Sequence, residues 1–380
     1  FQFSRNSAAT RVNAQGLVEN VQILSSNLVS NGDFSQEGVQ EVSNGSFSQE
    51  GVEEVTNGDF ATDTDWGKAS GWSISGGVAN ANTTAYRTLS QNIPITLGKK
   101  YKVVFDVVSI TSGSVSMTLG ANSGILRNSV GTYSEIIEYN NFYSSSGVRS
   151  GAQGFVGSID NVSVKEVGQD WTLGNGSYIG EGYLILPNTG TALQTSIPTN
   201  TMIRFDVQGS GTVGYRVNTG ASFQQISLPQ TIYLKTGSSG GRVQLSNTSG
   251  NDVTIDNISV KEVGQDWEFG TGWSIGDNKS TFNLSSGAGN VSQINVFESG
   301  KTYRITFDTL ETNGGNLAYR IGAGGFVFIN AIAANTKHTI TETATSVGSF
   351  SLRGSTNFNG SVTNISVIEI TDDTNLPRIN

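Results

Sequence analysis

An all-β protein of tandem antiparallel β-sandwiches, each of jelly-roll type, is the fold class this sequence predicts. Three observations predict it. The composition is turn-rich, with 48 Gly, only 5 Pro and 14% charged residues where a quarter is usual, which disfavours long helices. Apolar residues recur with period two: Tyr101, Val103, Phe105 and Val107 alternate with Lys102, Val104 and Asp106. Ile203, Phe205 and Val207 do the same, as do Tyr303, Ile305 and Phe307, the signature of strands with one buried face. Finally, "IDNVSVKEVGQDW" at 159–171 returns as "IDNISVKEVGQDW" at 255–267, with Ile258 in place of Val162.

Residues 1–29 read as an N-terminal leader. The stretch 30–56 holds a 13-residue repeat, "SNGDFSQEGVQEV" then "SNGSFSQEGVEEV", followed by "TNGDF", with Phe34, Phe47 and Phe60 as anchors. One copy is expected to form the first strand of the domain starting near Asn57. The two extra copies could be a stalk, strands given to a neighbouring subunit, or a neutral duplication. Three sandwiches follow at 57–168, 169–264 and 265–371, with a tail at 372–380. Each opens on Asp-Trp, at Asp65, Asp170 and Asp266, and continues into a strand ending Phe-Asp. Gly/Ser/Asn clusters such as "TSGS" and "TNGGN" supply the turns. Each unit closes with the recurring segment or its relative "VTNISVIEI" at 362–370. Val162 with Val164, and Ile258 with Val260, share a face and are expected to fill the core, while Ser163 and Lys165 face out. Trp171 or Trp267 then opens the next unit almost without a linker. A length near a hundred residues suits a complete small domain of seven to nine strands rather than a solenoid repeat.

Several functions are disfavoured. The net charge of −9, with no basic cluster, argues against nucleic acid and anionic membranes. No apolar run approaches the ~18–20 residues of a spanning helix, so membrane insertion is not expected. Without cysteine there are no disulfides or thiolate sites. The single histidine, His338, reads as part of an exposed strand start with no Ser or Asp partner for catalysis. The acidic pairs Asp63/Asp65 and Glu135/Glu138 satisfy the minimum for glycoside hydrolysis in number only. Asp106, Asp206 and Asp308 recur after the core Phe and are expected to pair structurally, for example with Arg216 or Arg320. No catalytic residue is assigned.

Sugar binding needs exposed aromatic faces with a few polar groups fixing orientation. The candidates are Tyr86, Tyr133 and Tyr143 in the first unit, and Tyr319 and Phe326 in the third. Trp72 and Trp273 occupy matched positions and are expected to plug the core, with Tyr178 as their counterpart in the second unit.

At "NLVSNGDF", "GWSISGG", "YKVVFDV" and "GSIDNVSVKEV" the chain resembles carbohydrate-binding modules of the galactose-binding-like jelly-roll superfamily. It is closer still to the repeated versions in tailed-bacteriophage virion proteins, and "FSRNSAATRVNAQGLVENV" at 3–21 resembles a leader of phage tail and fibre-like proteins. The first unit carries the fullest pattern, and the second lacks the "NGDF" strand. The resemblance implies a non-catalytic structural protein at the virion surface, a tail- or capsid-fibre component. It implies self-association, with a homotrimer as the guess, contact with other virion proteins, and host-surface glycans as a further partner. The alternative is a glycan-binding adhesin, viral or bacterial, attaching to cell-surface polysaccharide. Several members of that superfamily hold a structural calcium through an acidic residue after the "NGxF" strand and an Asp of the last strand. Asp160 and Asp256 fill the second place, but Ser35, Ser48 and Ala61 stand at the first, and Asn364 replaces the Asp in the third unit. The ligand set is incomplete, so no metal site and no cofactor are assigned.

Overall fold

A computed structural model describes residues 10–12, 18–20, 23–140, 146–284, 287–312, 315–329, 332–355 and 358–370. Tyr143 and the tail at 372–380 lie outside the described residues, as does much of the leader. The described chain is all-β, its strands paired antiparallel, with three separate apolar cores.

The second and third sandwiches share one plan. In the second, Thr172–Gly174, Thr191–Thr195, Gly241–Ser246, Thr212–Asn218 and Gln224–Ser227 make one sheet. Tyr178–Gly180, Tyr183–Leu186, Val253–Val263, Met202–Ser210 and Gln230–Lys235 make the other. The third repeats both sheets, with Gly360–Ile370 in place of Val253–Val263. In the first, Lys100–Leu119 and Ser146–Val167 run on through bulges and join both halves into one nine-stranded sheet. The alternation seen in the sequence sets the cores: Tyr101, Val103, Phe105 and Val107 are buried, as are Ile203, Phe205, Val207 and Tyr303, Ile305, Phe307. Val162, Val164, Ile258 and Val260 are buried with them.

The 13-residue copies behave differently from all three expectations. None is a stalk or a spare: each enters a sandwich of its own chain, in reversed order. Phe60 belongs to the first core, Phe47 to the second and Phe34 to the third. The strand Glu50–Glu53 pairs with Ser146–Val167 of the first sandwich, and Glu37–Gln40 pairs with Val253–Val263 of the second. Leu24 and Leu28 donate backbone hydrogen bonds to Glu369 and Val367 of the third. Residues 23–60 therefore form a ribbon running back along the array. The second sandwich does not lack its "NGxF" strand; "NGSF" at 44–47 supplies it.

Candidate functional site

The motif Ser/Thr-Asn-Gly-x-Phe explains how the ribbon docks. Asn31, Asn44 and Asn57 have φ of 48°, 46° and 55°, and Phe34, Phe47 and Phe60 are also left-handed, so the chain turns tightly into the core. The glycine between them is obligatory. A Cβ on Gly32, Gly45 or Gly58 would lie 1.9, 2.1 or 2.0 Å from the carbonyl oxygen of Ile365, Ile258 or Val162. That close approach lets the amide of each of these residues donate to the glycine carbonyl, at 2.8, 2.8 and 2.9 Å. The anchor rings then meet the opening tryptophans: Phe60 on Trp66 at 5.3 Å, Phe47 on Trp171 at 5.5 Å and Phe34 on Trp267 at 5.2 Å.

A buried glutamine in each sandwich grips the first residue of the motif. Gln91, Gln194 and Gln293 each accept from the backbone N–H of Thr56, Ser43 and Ser30 and donate back to its carbonyl, all between 2.8 and 3.0 Å. On the ribbon, Glu53, Gln40 and Asn27 each accept the backbone N–H of Val164, Val260 and Val367. Charge reinforces two of the three dockings. Glu50 pairs with Lys102 and Lys165, and Glu37 with Arg204 and Lys261. Hydrogen bonds from Lys102, and from Lys261 and Arg204, hold the Glu50 and Glu37 carboxyls below the usual carboxylate range. These glutamines and the Asn27/Gln40/Glu53 series escaped the sequence reading. The signal that finds the Asn27/Gln40/Glu53 series is the 13-residue period itself, which continues back to 22–34 once the copies are phased on Phe34, Phe47 and Phe60.

At each seam the preceding sandwich packs an apolar side chain on the first hairpin of the next. Ile136 approaches Gly180 with its Cγ1 3.5 Å from where a Cβ would stand, and the Tyr233 ring does the same to Gly276 at 3.0 Å. The register places the exposed Thr341 at the equivalent strand position of the third sandwich, where no further sandwich follows among the described residues. Beside the first seam lies a cleft of about 500 Å3 lined by Lys100, Ser134, Ile136, Tyr178, Glu181 and Tyr183. The Lys100 ammonium sits 5.4 Å from the centre of the Tyr178 ring.

Tyr178 departs from expectation. Trp72 and Trp273 are buried core plugs, but the strand register aligns Ser177 with them, and Ser177 is buried. Tyr178 aligns with Ser73 and Ser274 and points outward, 39% exposed. A one-residue slip moves a side chain to the opposite face. The same correction applies to Asn364: it matches Asn161, and Thr363 stands where Asp160 is. Asn161 and Asn364 share a left-handed φ and donate to Asp106 and Asp308, both at 2.7 Å. Arg216 and Arg320 therefore do not serve the recurring aspartates; they lie over the Phe223 and Phe326 rings at 4.7 and 4.9 Å. Asp206 pairs instead with Arg204 at 3.0 Å. Burial, with Asp106 and Asp59 nearby, pushes the Asp160 carboxyl up despite a backbone hydrogen bond from Asn161.

The other sequence-chosen aromatics are scattered rather than gathered. Tyr133 packs on Phe105 at 5.7 Å with Arg127 over its ring and its hydroxyl on Ser129. Tyr319 is buried and donates to Glu342 at 2.9 Å; burial first, then that carboxylate, pushes its phenol up to about 12. Phe326 lies between Arg320 and Arg353. Tyr86 is exposed on the first sandwich. His338 is half-buried rather than exposed, stacked on Phe307 at 4.9 Å, and burial lowers its pKa. Glu135 and Glu138 sit an odd number of residues apart on one strand and so face opposite sides, while Asp63 is tied to Lys68.

No protein-family model and no curated protein matches the chain. Among solved structures it is similar to the N-terminal tandem CBM22 domains of Paenibacillus barcinonensis Xyn10C, at 11% identity over 53% of this chain and 94% of that one. It is also similar to a triple-jelly-roll turret protein of an archaeal virus (14%, covering 80% and 89%) and to a protein of Sulfolobus Turreted Icosahedral Virus (13%, covering 81% and 90%). The TM-scores are 0.20, 0.18 and 0.17, too low to assign a role.

Proposed function

We propose that the chain is a non-catalytic structural component of a tailed-bacteriophage particle, displayed at its surface as part of a fibre. The observation that carries this reading is the ribbon. At both seams the chain crosses twice, once in the ribbon and once in the Gly-Gln-Asp-Trp link, so neighbouring sandwiches cannot swivel on a single strand. Such double crossing suits a load-bearing rod better than a set of independently mobile binding modules. Ile23 bridges Ile370, so the start of the ribbon lies against the last strand of the third sandwich. Association as a homotrimer with other virion proteins belongs to the same reading, since closed symmetry is the default for homo-oligomers.

The test is immunoelectron microscopy of intact particles with antibodies raised separately against the first and third sandwiches. Decoration of a fibre by both antibodies, at separate positions along it, is expected. Absence of the chain from purified particles sinks the proposal. Light scattering of the isolated protein should show a stable trimer, and a purely monomeric protein at micromolar concentration counts against self-association.

A further inference from the structure

We infer that the three Asn-Gly pairs of the ribbon, Asn31-Gly32, Asn44-Gly45 and Asn57-Gly58, are self-modification sites gated by docking: an undocked copy loses ammonia and closes to a succinimide, Asn31 first. The chemistry needs only water. The backbone nitrogen of Gly32 gives its proton to solvent base and attacks Cγ of Asn31. The new N–Cγ bond displaces Nδ2, which takes a proton from water and leaves as ammonia. Water then opens the imide. Attack at Cγ leaves aspartate; attack at the main-chain carbonyl leaves isoaspartate, with the main chain routed through the side chain. Glycine hinders the ring closure least, because it carries no Cβ. The residue that docking requires is therefore also the one that leaves an undocked copy open to the reaction.

Docking blocks the reaction by pinning both partners, since the glycine amide must rotate toward the asparagine side chain to close the ring. In each docked copy the Asn carbonyl accepts from Phe34, Phe47 or Phe60, and the Gly carbonyl from Ile365, Ile258 or Val162. The Asn Oδ1 accepts the backbone N–H of Gln36, Gln49 or Thr62. Three differences rank the copies. Asn57 Nδ2 donates to the Thr62 and Thr64 carbonyls at 2.7 and 3.0 Å and Asn44 Nδ2 to Gln169 at 3.3 Å, whereas Asn31 Nδ2 is buried with no partner among the described residues. Glu50 and Glu37 add ion pairs to the first and second dockings, while the third sets Leu24 opposite Ile368. Last, the Phe60 copy is continuous with its sandwich, and the Phe34 copy has a docked copy on one side only. Each site then reacts at its open-state rate multiplied by the population of that opening. Isoaspartate at 31 displaces Gly32, whose slot has the Ile365 oxygen 1.9 Å from where a Cβ would stand, so the third core loses Phe34 permanently. Neither assembly nor a virion enters this inference, so it and the fibre reading can fail separately.

The experiment incubates the whole chain in mildly alkaline buffer, folded and in guanidinium, and maps aspartate and isoaspartate peptide by peptide with mass spectrometry. In guanidinium the three sites should convert at similar rates, because they share the Asn-Gly pair. In the folded chain Asn31 should convert at least about threefold faster than Asn57, with Asn44 between them. A smaller spread or any other order overturns the gating. So does an absence of product at Asn31 after about ten half-lives of the denatured chain, when an opening populated to roughly one per cent would have converted several per cent of the chains. A Leu24→Glu/Ile368→Lys variant supplies the reverse test. It copies the ion pair of the other two dockings, beside Arg304 on the neighbouring strand, and should slow Asn31 a few-fold while Asn44, Asn57 and the exposed Asn175-Gly176 turn keep their rates. Unaltered conversion at Asn31 in a variant that melts with the parent overturns the inference. Chains purified with isoaspartate at 31 should show lost exchange protection in Gly360–Ile370, and full protection there would show that the modified copy still docks.

Discussion

Replacing Phe34 with alanine sets neighbourhood in sequence against neighbourhood in space. Phe34 precedes the first sandwich closely in the chain, yet its ring lies 5.2 Å from Trp267 and 6.4 Å from Phe269, in the third core. It is 3% exposed, and truncating so buried a phenylalanine costs about 3–5 kcal/mol. At about 1.4 kcal/mol per factor of ten, local opening should become roughly a hundred- to a few-thousandfold more frequent. Hydrogen exchange read peptide by peptide should therefore show lost protection in Thr302–Leu310 and Gly360–Ile370, with Lys100–Leu119 unchanged. Phe47→Ala should strike Met202–Ser210 and Val253–Val263 instead, and Phe60→Ala the first sandwich. Loss of protection that follows sequence order, with Phe34→Ala opening the first sandwich, would refute the reversed docking. So would a Phe34→Ala protein whose exchange differs nowhere beyond the ribbon.

Gly45→Ala should lower the melting temperature and expose residues 35–47 to proteolysis, because the new Cβ meets the backbone oxygen of Ile258, which cannot yield as a side chain could; an unchanged melt would show the approach to be looser than drawn. Gln194→Ala strands the N–H and carbonyl of Ser43 and should cost about 1–3 kcal/mol in denaturant titration, with Gln194→Glu losing at least as much at neutral pH because a carboxylate oxygen would face the Ser43 and Asp170 carbonyls. Thr201→Lys should stabilise. The equivalent residues Lys99 and Lys301 pair with Glu166 and Glu369, each at 3.0 Å, whereas burial and Glu41 push Glu262 up. A carboxyl whose folded pKa is raised costs stability above that value and is relieved as the pH falls through it. The gain from Thr201→Lys, a few tenths to about 1 kcal/mol, should therefore be present at pH 7 and absent near pH 4. Glu37 and Glu50, with lowered pKa values, work the opposite way: their contribution is present above about pH 4.5 and lost on further acidification. Because the depressed His338 pKa itself weakens the fold below about pH 6.5, the melt series is run in a His338→Gln background, where continued weakening between pH 7 and 5 would contradict both signs.

The strands and the seams were legible in the sequence because period-two alternation and the two thirteen-residue echoes are local signals. The docking of the ribbon was not read, since three copies of Asn-Gly-x-Phe look the same and strand pairing across hundreds of residues leaves no local trace. A geometric constraint does decide the order. The copy ending at Phe60 is continuous with the first sandwich, so the copy before it can reach only one seam further, and the copy before that two. The outward Tyr178 was lost to register: reading it as the counterpart of Trp72 placed it in a core, whereas alternation with the buried Ile179 places it outside.

The faithful recurrence of "IDNVSVKEVGQDW" now has a physical cause. From Val162 onward the segment receives the ribbon: Val162 bonds Gly58, Val164 bonds Glu53, Lys165 reaches Glu50, and the Gln169 carbonyl accepts from Asn44. Trp171 then donates to the Asn44 carbonyl and packs, tilted, against Phe47. The two repeats, one in the ribbon and one at the end of each sandwich, are the facing halves of one interface, and each constrains the other. The third sandwich shows what happens when that constraint shifts. Its last strand reads "VTNISVIEI", with Ile368 where Lys165 and Lys261 stand, and the ribbon opposite has Leu24 where Glu50 and Glu37 stand. An ion pair has been exchanged on both sides at once, while the backbone bonds of Asn27, Gly32 and Gln293 persist. Lengthening such an array by a sandwich alone would leave its "NGxF" slot empty, so growth requires a matching 13-residue insertion in the ribbon.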